Sequence, residues 1–233
     1  MNAIVKAAAG LAVLLACSAP AAASSPSLFG SVEFRAQSLA ALPQWQRTLA
    51  RIEQERSVYA ACARSAASCP SRSVLAWQSL VKGQIGRARI EQLSAVNQFF
   101  NNWQYKADEQ NYGRRDHWAT PLEFLSRSGD CEDYAIAKYV TLRQLGFPAA
   151  RLRVVVVRDV LRDLAHAVLA VYLGDQVYIL DNLTRAVLPH QRVTQYVPYY
   201  SINESTRWAH VMPVETGVSS ATDGRSSSSP AAP

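Results

Sequence analysis

Apolar residues in the first half of the chain recur at the spacing of amphipathic helices. Between Gly86 and Asn101 an apolar residue returns every third or fourth position, at Ile90, Leu93, Val96 and Phe100. This spacing puts the four side chains on one side of a helix. The same pattern from Pro43 to about Ala67, and again from Ser71 to Val81, predicts two further helices.

Two more helices are marked by their start and stop residues. Thr120, Pro121 and Glu123 supply a cap hydroxyl, a proline at the first helical position and an acid three residues after the cap. A second helix is predicted from Cys131 to Leu145, because apolar residues follow one side of it and Gly146 stops it. Cys131 therefore lies in the first turn of a helix.

The second half of the chain changes to short runs that are rich in Val, Ile, Tyr and Leu. These runs predict strands at Leu152–Val157, His166–Leu173 and Gln176–Asp181, with a further one at Tyr196–Ile202. Gly174 and Asp175 suit a two-residue hairpin between the second and third strands. Helices followed by an antiparallel sheet indicate the α+β fold class.

The hairpin also predicts which side chains meet across the sheet. With a two-residue loop, Leu173 lies opposite Gln176, and extending that register places Val168 opposite Asp181. His166 and Asp181 then become diagonal neighbours on one sheet face, about 7 to 8 Å apart at the backbone. A three-residue loop would instead put the two side chains on opposite faces.

Composition excludes several classes of protein. The 233 residues are 49% hydrophobic and 18% charged, which is typical of one or two globular domains. The net charge is +6, but the basic residues are scattered and form no nucleic-acid-binding arm. The four cysteines form no CxxC pair, which argues against a zinc finger or a thioredoxin-type redox site.

The ends of the chain predict export. Residues 1–23 carry one charge at Lys6, an apolar stretch and small residues near Ala23, as in a cleavable signal peptide that directs a protein to the periplasm. The alternative is a lipoprotein signal, because Leu14 to Cys17 resembles a lipobox that would leave the protein anchored through Cys17. We divide the rest into a helical segment at 24–80, a core at 81–212 and a disordered tail at 213–233.

Export leaves three cysteines in the mature chain. Cys62 and Cys69 are close enough in sequence to close a short loop, so their pairing leaves Cys131 as a free thiol. The first turn of a helix favours a thiolate, as a nucleophile requires. A lone cysteine in an apolar helix is more often a structural core residue. His166 as a base and Asp181 as its orienting carboxylate would favour the nucleophile.

Three acidic residues flank this thiol. Asp130, Glu132 and Asp133 would raise the pKa of Cys131, against the effect of the helix dipole. A bound divalent cation would relieve that conflict, and carboxylates at a helix start offer the oxygen ligands that calcium prefers. Ordinary capping of the helix explains the same residues equally well.

Three blocks of sequence resemble those of the bacterial transglutaminase-like cysteine proteinases. They are Gly-Asp-Cys-Glu-Asp-Tyr-Ala at 129–135, His-Ala-Val-Leu at 166–169 and Tyr-Ile-Leu-Asp-Asn at 178–182. The resemblance extends over about 80–212 and includes Trp-Ala-Thr-Pro-Leu-Glu at 118–123. It implies a papain-like α+β fold and a triad of Cys131, His166 and Asp181.

The same resemblance implies calcium, a substrate and a regulator. The acidic positions that match the family's metal site are Asp130 and Glu132, and Asp116 and Asp133 could complete the Ca²⁺ coordination. The implied substrate is the N-terminal retention segment of a large cell-surface adhesin, cut at a paired-alanine site to control biofilm attachment. The implied regulator is an inner-membrane receptor for cyclic di-GMP.

Two other functions fit the same residues. An acyl-enzyme on Cys131 can pass its acyl group to an amine, as transglutaminases do, instead of to water. A non-catalytic module that binds calcium or a partner could also keep the fold. A complete set of Cys, His and Asp argues against the second, because a binding module has no need of all three.

Overall fold

The computed structural model describes residues 27–213. In that range a helical layer packs on one seven-stranded antiparallel sheet, as the α+β prediction requires. The helices are α1 (Pro43–Arg64), α2 (Arg72–Gln84), α3 (Arg89–Phe100), α4 (Asp108–Tyr112), α5 (Pro121–Arg127) and α6 (Cys131–Gln144). The strands are β1 (Val32–Ala36), β2 (Leu152–Asp159), β3 (Leu164–Leu173), β4 (Gln176–Leu180), β5 (Leu188–Pro189), β6 (Tyr196–Ile202) and β7 (Arg207–Val211).

The strands lie in the order β1-β7-β6-β2-β3-β4-β5. The β3–β4 hairpin has the predicted two-residue loop, with Leu173 opposite Gln176 and the pairing continuing to Leu169 opposite Leu180. Gly174 in the loop has a φ of 57°, a left-handed conformation that glycine adopts without strain. The strand ends at Leu180, one residue earlier than predicted, so Asp181 is the first residue beyond it.

The sequence pattern does not predict β1, β7 or α4. Strand β1 pairs with β7 at the edge of the sheet, and its apolar side chains Val32 and Phe34 are largely exposed. A short edge strand has few buried positions, so it lacks the alternation that marks a half-buried strand. Helix α4 has only five residues, fewer than two turns, and therefore shows no apolar period.

Helix α6 is the centre of the main core. It packs on β3 and β2 from one side and on α3 and α5 from others, and residues from Asp133 through Leu142 are buried. Two completely buried tryptophans fill the adjoining space and have satisfied indole donors. Trp77 donates to Thr141 Oγ1 on α6 at 2.8 Å, and Trp45 donates to the Asn203 carbonyl at 2.7 Å.

The opposite face of the sheet has its own, smaller apolar cluster. Val155 and Val168 lie there, covered by Leu28, Val193 and Tyr196. Both faces of the central strands are therefore buried, which explains why β2 and β3 read as nearly continuous apolar runs in the sequence.

Two predictions concern chain ends that the structure does not describe. The signal peptide at 1–23 and nearly all of the predicted tail at 213–233 lie outside the described residues. Across residues 27–213, no helix combines the length and the apolar character needed to cross a membrane.

The predicted disulfide is confirmed. Cys62 near the end of α1 is bonded to Cys69, and Cys131 is a free thiol. The bond closes a short loop between α1 and α2, and it brings the end of α1 to the start of the next helix.

We expect this disulfide to stabilise the protein mainly by restricting the unfolded chain. Replacing both Cys62 and Cys69 by serine should lower the free energy of unfolding by about 2 to 3 kcal/mol in a urea titration. Non-reducing mass spectrometry of the protein without residues 1–23 should show one disulfide and one alkylatable thiol, at Cys131. A disulfide that includes Cys131 would contradict the assignment. As a control, added reductant should leave the free energy of unfolding of the double variant unchanged.

Candidate active site

A tight turn places Cys131 at the first position of α6. Ser128 has a positive φ of 67°, and Gly129 follows it directly before the helix cap. A side chain at Gly129 would come within 2.6 Å of the Asp133 Cβ, so the turn has room only for glycine. The Asp133 carboxylate accepts hydrogen bonds from the Ala119 and Asp130 backbone N–H groups at 2.6 and 3.3 Å, which fixes the turn to the preceding segment.

The hairpin brings the other two predicted residues together. His166 Nε2 lies 2.9 Å from Asp181 Oδ1, and both side chains are buried. Asp181 also accepts hydrogen bonds from the Tyr196 hydroxyl at 2.6 Å and from the Leu183 backbone N–H at 2.9 Å. Burial acts to raise the pKa of Asp181, but these donors outweigh it and hold the pKa below its usual value.

Cys131 and His166 both line a cleft of about 360 Å³. Its other walls include Tyr105, Arg162 and Leu183. The structure therefore brings the predicted thiol and imidazole to one opening. A larger groove of about 420 Å³ beside α1 contains neither of them.

The surroundings of the thiol favour its protonated form. Burial raises the pKa of Cys131, and the negative charges of Glu132 and Asp130 raise it further. The Cys131 thiol lies 3.2 Å from Glu132 Oε2, to which it donates. The Ala167 backbone N–H acts in the opposite direction, because it would donate to a thiolate.

Carboxylates cluster beside the thiol and beyond it. Asp130 and Glu132, the two predicted metal ligands, have oxygens within 4.8 Å of the Cys131 sulfur and of each other. Asp108 joins two further groups of this size, one with Asp116 and Glu132 and one with Asp130 and Asp133. Burial, followed by repulsion from Glu132, raises the pKa of Asp130 to about 10.

Two of these carboxylates have unused acceptor atoms. Oδ1 of Asp108 and Oδ1 of Asp130 are buried without a hydrogen-bond partner in the described part of the chain. Asp108 Oδ2, in contrast, accepts the backbone N–H of His117. Buried carboxylate oxygens without donors are costly unless a cation or a proton joins them.

The sequence pattern misses Asp108 and Tyr196. Asp108 opens the short helix α4, where an acidic residue is ordinary, and only the tertiary fold brings it to Asp130. Tyr196 begins β6, and the sequence gives no sign that its hydroxyl reaches Asp181.

The other three histidines lie away from the cleft. His117 Nε2 is 3.4 Å from Glu123, His190 accepts the Phe29 backbone N–H, and His210 bridges two serine hydroxyls. This arrangement agrees with the choice of His166 from the hairpin register.

Comparisons with known proteins agree on one family. The family described as bacterial transglutaminase-like cysteine proteinase matches residues 51–215. No curated protein matches the chain in a sequence search.

Solved structures give the same result. The chain is similar to Legionella pneumophila LapG, with 31% identity and a TM-score of 0.57 over 65% of this chain and 87% of that one. The calcium-bound form of LapG is 30% identical with a TM-score of 0.58, over 68% of this chain and 87% of that one. The EGTA-treated form is 31% identical with a TM-score of 0.57, over 65% of this chain and 84% of that one.

The family match spans more than half of the sequence, from α1 to beyond β7, and the LapG structures share its helical layer and antiparallel sheet. The chain belongs to the bacterial transglutaminase-like cysteine proteinases.

Proposed function

We propose that this chain is a calcium-dependent cysteine endopeptidase of the LapG type. In this proposal Cys131 is the nucleophile, His166 is the general base and acid, and Asp181 is the orienting carboxylate. The observation that supports it best is that Cys131 and His166 line the same cleft, while Asp181 contacts the Nε2 atom of the His166 ring.

The contact between His166 Nε2 and Asp181 defines the proton path. It leaves Nδ1 as the ring nitrogen that is free to take the Cys131 proton while the sulfur bonds to the scissile carbonyl carbon. The imidazolium returns this proton to the leaving amine as the C–N bond breaks, which leaves a thioester. Nδ1 then accepts a proton from water, whose oxygen attacks the thioester and releases the acid, and the proton passes to the sulfur.

We also propose that the carboxylate cluster holds calcium. Asp108, Asp116, Asp130, Glu132 and Asp133 supply hard oxygen ligands, and the unpartnered oxygens of Asp108 and Asp130 fit a cation. Bound calcium would supply positive charge that offsets the repulsion between these carboxylates and the Cys131 thiolate. The calcium-bound and EGTA-treated forms of the similar LapG support this choice of ion.

The proposed substrate is the N-terminal retention segment of a cell-surface adhesin, cleaved in the periplasm at a paired-alanine site. An inner-membrane cyclic di-GMP receptor is the proposed regulator. The support for both is the family resemblance, together with the export pattern of residues 1–23.

Removing any member of the triad should stop or slow cleavage without unfolding the protein. Cys131→Ala and His166→Ala should abolish cleavage of an adhesin N-terminal segment, measured by electrophoresis and mass spectrometry. Asp181→Ala should lower kcat by roughly 10²- to 10⁴-fold, because an orienting group is partly replaceable. Asp175→Ala in the hairpin loop is the matched control and should keep wild-type activity.

The products of that assay also separate the two possible acyl acceptors. A protease releases two peptides with a new carboxyl terminus, whereas an acyl transferase joins the acyl group to an added amine. Full turnover by Cys131→Ala would end the cysteine-protease proposal.

Calcium removal should abolish activity, and calcium but not magnesium should restore it. A calcium-selective chelator leaves Asp130 and Glu132 unopposed beside the thiol, and the small octahedral shell of magnesium suits a loose oxygen site poorly. Without metal the pKa of Asp130 is raised to about 10, so this carboxyl carries a proton at neutral pH. Calcium binding in a weakly buffered solution should therefore release protons. Activity that survives excess chelator would mean that Asp130 and Glu132 only cap the helix and do not bind calcium.

Asp108→Asn should weaken calcium binding at least about tenfold, measured by calorimetry, because it removes a buried charge from the cluster. Burial raises the pKa of Asp108, so its ionised form is unfavourable without metal, and the variant should melt at a higher temperature in chelator. Glu109→Gln, next to it on the surface, is the control for both measurements. Unchanged calcium affinity in Asp108→Asn would remove this residue from the proposed site.

A further inference from the structure

Strand β3 is longer than its partner β4, so part of one side of β3 is left unpaired. Its pairing with β4 ends where Leu169 lies opposite Leu180. Its pairing with β2, on the other side, continues to Leu164. Residues 164–168 of β3, termed here the open edge, therefore have a neighbouring strand on one side only in the part of the chain that the structure describes.

The register identifies the backbone groups that the open edge leaves free. The two-residue turn makes Leu173 and Gln176 a hydrogen-bonded pair, and such pairs alternate with non-bonded pairs along antiparallel strands. The odd-numbered residues of β3 therefore direct their N–H and C=O groups away from β2. For Ala165 these groups point to the side without a strand, and no loop or turn within residues 27–213 bonds to them.

The space beside Ala165 is the cleft of the proposed active site. Ala165 is exposed and lines this cleft together with its neighbour His166 and with Cys131. One main-chain donor and one main-chain acceptor are thus open to the cleft, directly before the proposed general base. An extended polypeptide is the ligand that matches such a pair, because it carries a donor and an acceptor at the same spacing.

Apolar side chains border the open edge. Leu164, Leu183 and Tyr105 line the cleft, and they are 60%, 42% and 54% exposed. Leu161, in the loop between β2 and β3, is 82% exposed, more than any other large apolar side chain of residues 27–213. Exposed apolar side chains that gather at one place mark a contact site for another molecule.

The loop that carries Leu161 is held by its own polar contacts. Asp159 Oδ1 accepts the backbone N–H groups of Leu161 and Arg162 at 3.0 and 3.3 Å, and the Val160 N–H donates to the Gln195 carbonyl at 2.9 Å. These bonds fix the loop without the leucine side chain, which contributes nothing to the core. Polar residues are usual at such a turn, so the exposed leucine indicates a binding role.

The charge on this wall of the cleft is already balanced. Arg162 lines the cleft, and its guanidinium lies 3.7 Å from the Asp159 carboxylate. The wall therefore favours apolar side chains of a ligand over acidic ones.

We propose that the open edge of β3 and its apolar border hold the substrate polypeptide in an extended conformation across the cleft. One substrate residue lies opposite Ala165 and exchanges two main-chain hydrogen bonds with it, and apolar side chains of the same segment contact Leu161, Leu164 and Leu183. Sequence preference then comes from the border, and alignment with Cys131 comes from the main chain. The proposal deepens the proposed function, and it rests on that function for the identity of the bound segment as a substrate.

Binding is tested with random peptides, so that neither cleavage nor the adhesin is needed. Phage-displayed short peptides are selected on Cys131→Ala protein in calcium. The recovered sequences should carry apolar residues at alternate positions, as in a strand with one contacting face. A selected peptide should bind about tenfold or more weakly to Cys131→Ala protein that also carries Leu161→Ser, measured by calorimetry.

The matched control for Leu161→Ser is Ile85→Ser. Ile85 follows α2, is 70% exposed and lies outside the cleft, so its replacement should leave the affinity unchanged. Methylating the peptide amides one at a time tests the main-chain pairing. One amide should cost about tenfold in affinity, because it donates to the Ala165 carbonyl, and its two neighbours should cost less because they point away.

Three results would overturn the proposal. They are the recovery of no peptide with the apolar pattern, an affinity that Leu161→Ser does not lower, and a methylation scan without a sensitive amide. A dimer that Leu161→Ser dissociates in analytical ultracentrifugation, with no peptide binding, would also overturn it, because a second copy would then occupy the edge.

The catalytic consequence is tested with the adhesin N-terminal segment. Leu161→Ser should raise KM about tenfold and leave kcat nearly unchanged, because this side chain touches the substrate away from the reacting atoms. An unchanged KM would overturn the proposal. A wild-type protein that binds the selected peptides but cleaves no peptide would refute the proposed function, and it would still support the open edge as a polypeptide-binding site.

Discussion

At the start of α6 a thiol and several carboxylates are buried together, and much of the surrounding structure serves to hold this arrangement. Like charges in a region of low dielectric repel strongly, so the turn has to be fixed by contacts from outside the helix. Asp133 provides them by accepting two backbone N–H groups, and Gly129 leaves room for its side chain. The result is a Cys131 thiol that is held in place, with a pKa raised by burial and by the flanking carboxylates.

The opposite environment surrounds Asp181. There a single buried carboxylate has three hydrogen-bond donors, and its pKa is lowered despite its burial. Helix α6 begins at the first of these regions, where Asp130, Glu132 and Asp133 crowd its first turn, and it packs on β3, the strand that carries His166. In the proposed enzyme a cation would be needed only at the first region, because hydrogen-bond donors already stabilise the Asp181 carboxylate at the second. The proposed chemistry would therefore depend on α6, whose residues from Asp133 through Leu142 are all buried.

The fold and the pairing of His166 with Asp181 could be predicted because both depend on local sequence. A two-residue loop fixes the register of its hairpin, so Gly174 and Asp175 were enough to place two residues 15 positions apart on one side of a sheet. The start of α6 followed from the apolar period and the stop at Gly146, and the Cys62–Cys69 bond followed from counting cysteines in an exported chain. The edge strand β1 carries no such signal, because pairing at an edge buries few side chains.

The sequence by itself determined the α+β class, the position of Cys131 at a helix start and the hairpin register, because helical period, capping and turn geometry act over a few residues. Only the tertiary structure decided that Asp108 joins Asp130, that Tyr196 donates to Asp181 and that the Lys138 Nζ is buried with no hydrogen-bond partner among residues 27–213. The two contacts join residues from different elements, and all of these residue types are also common at helix starts, in strands or on helix surfaces. Burial decides their chemistry, because the same side chains in water would have ordinary pKa values and no need of one another.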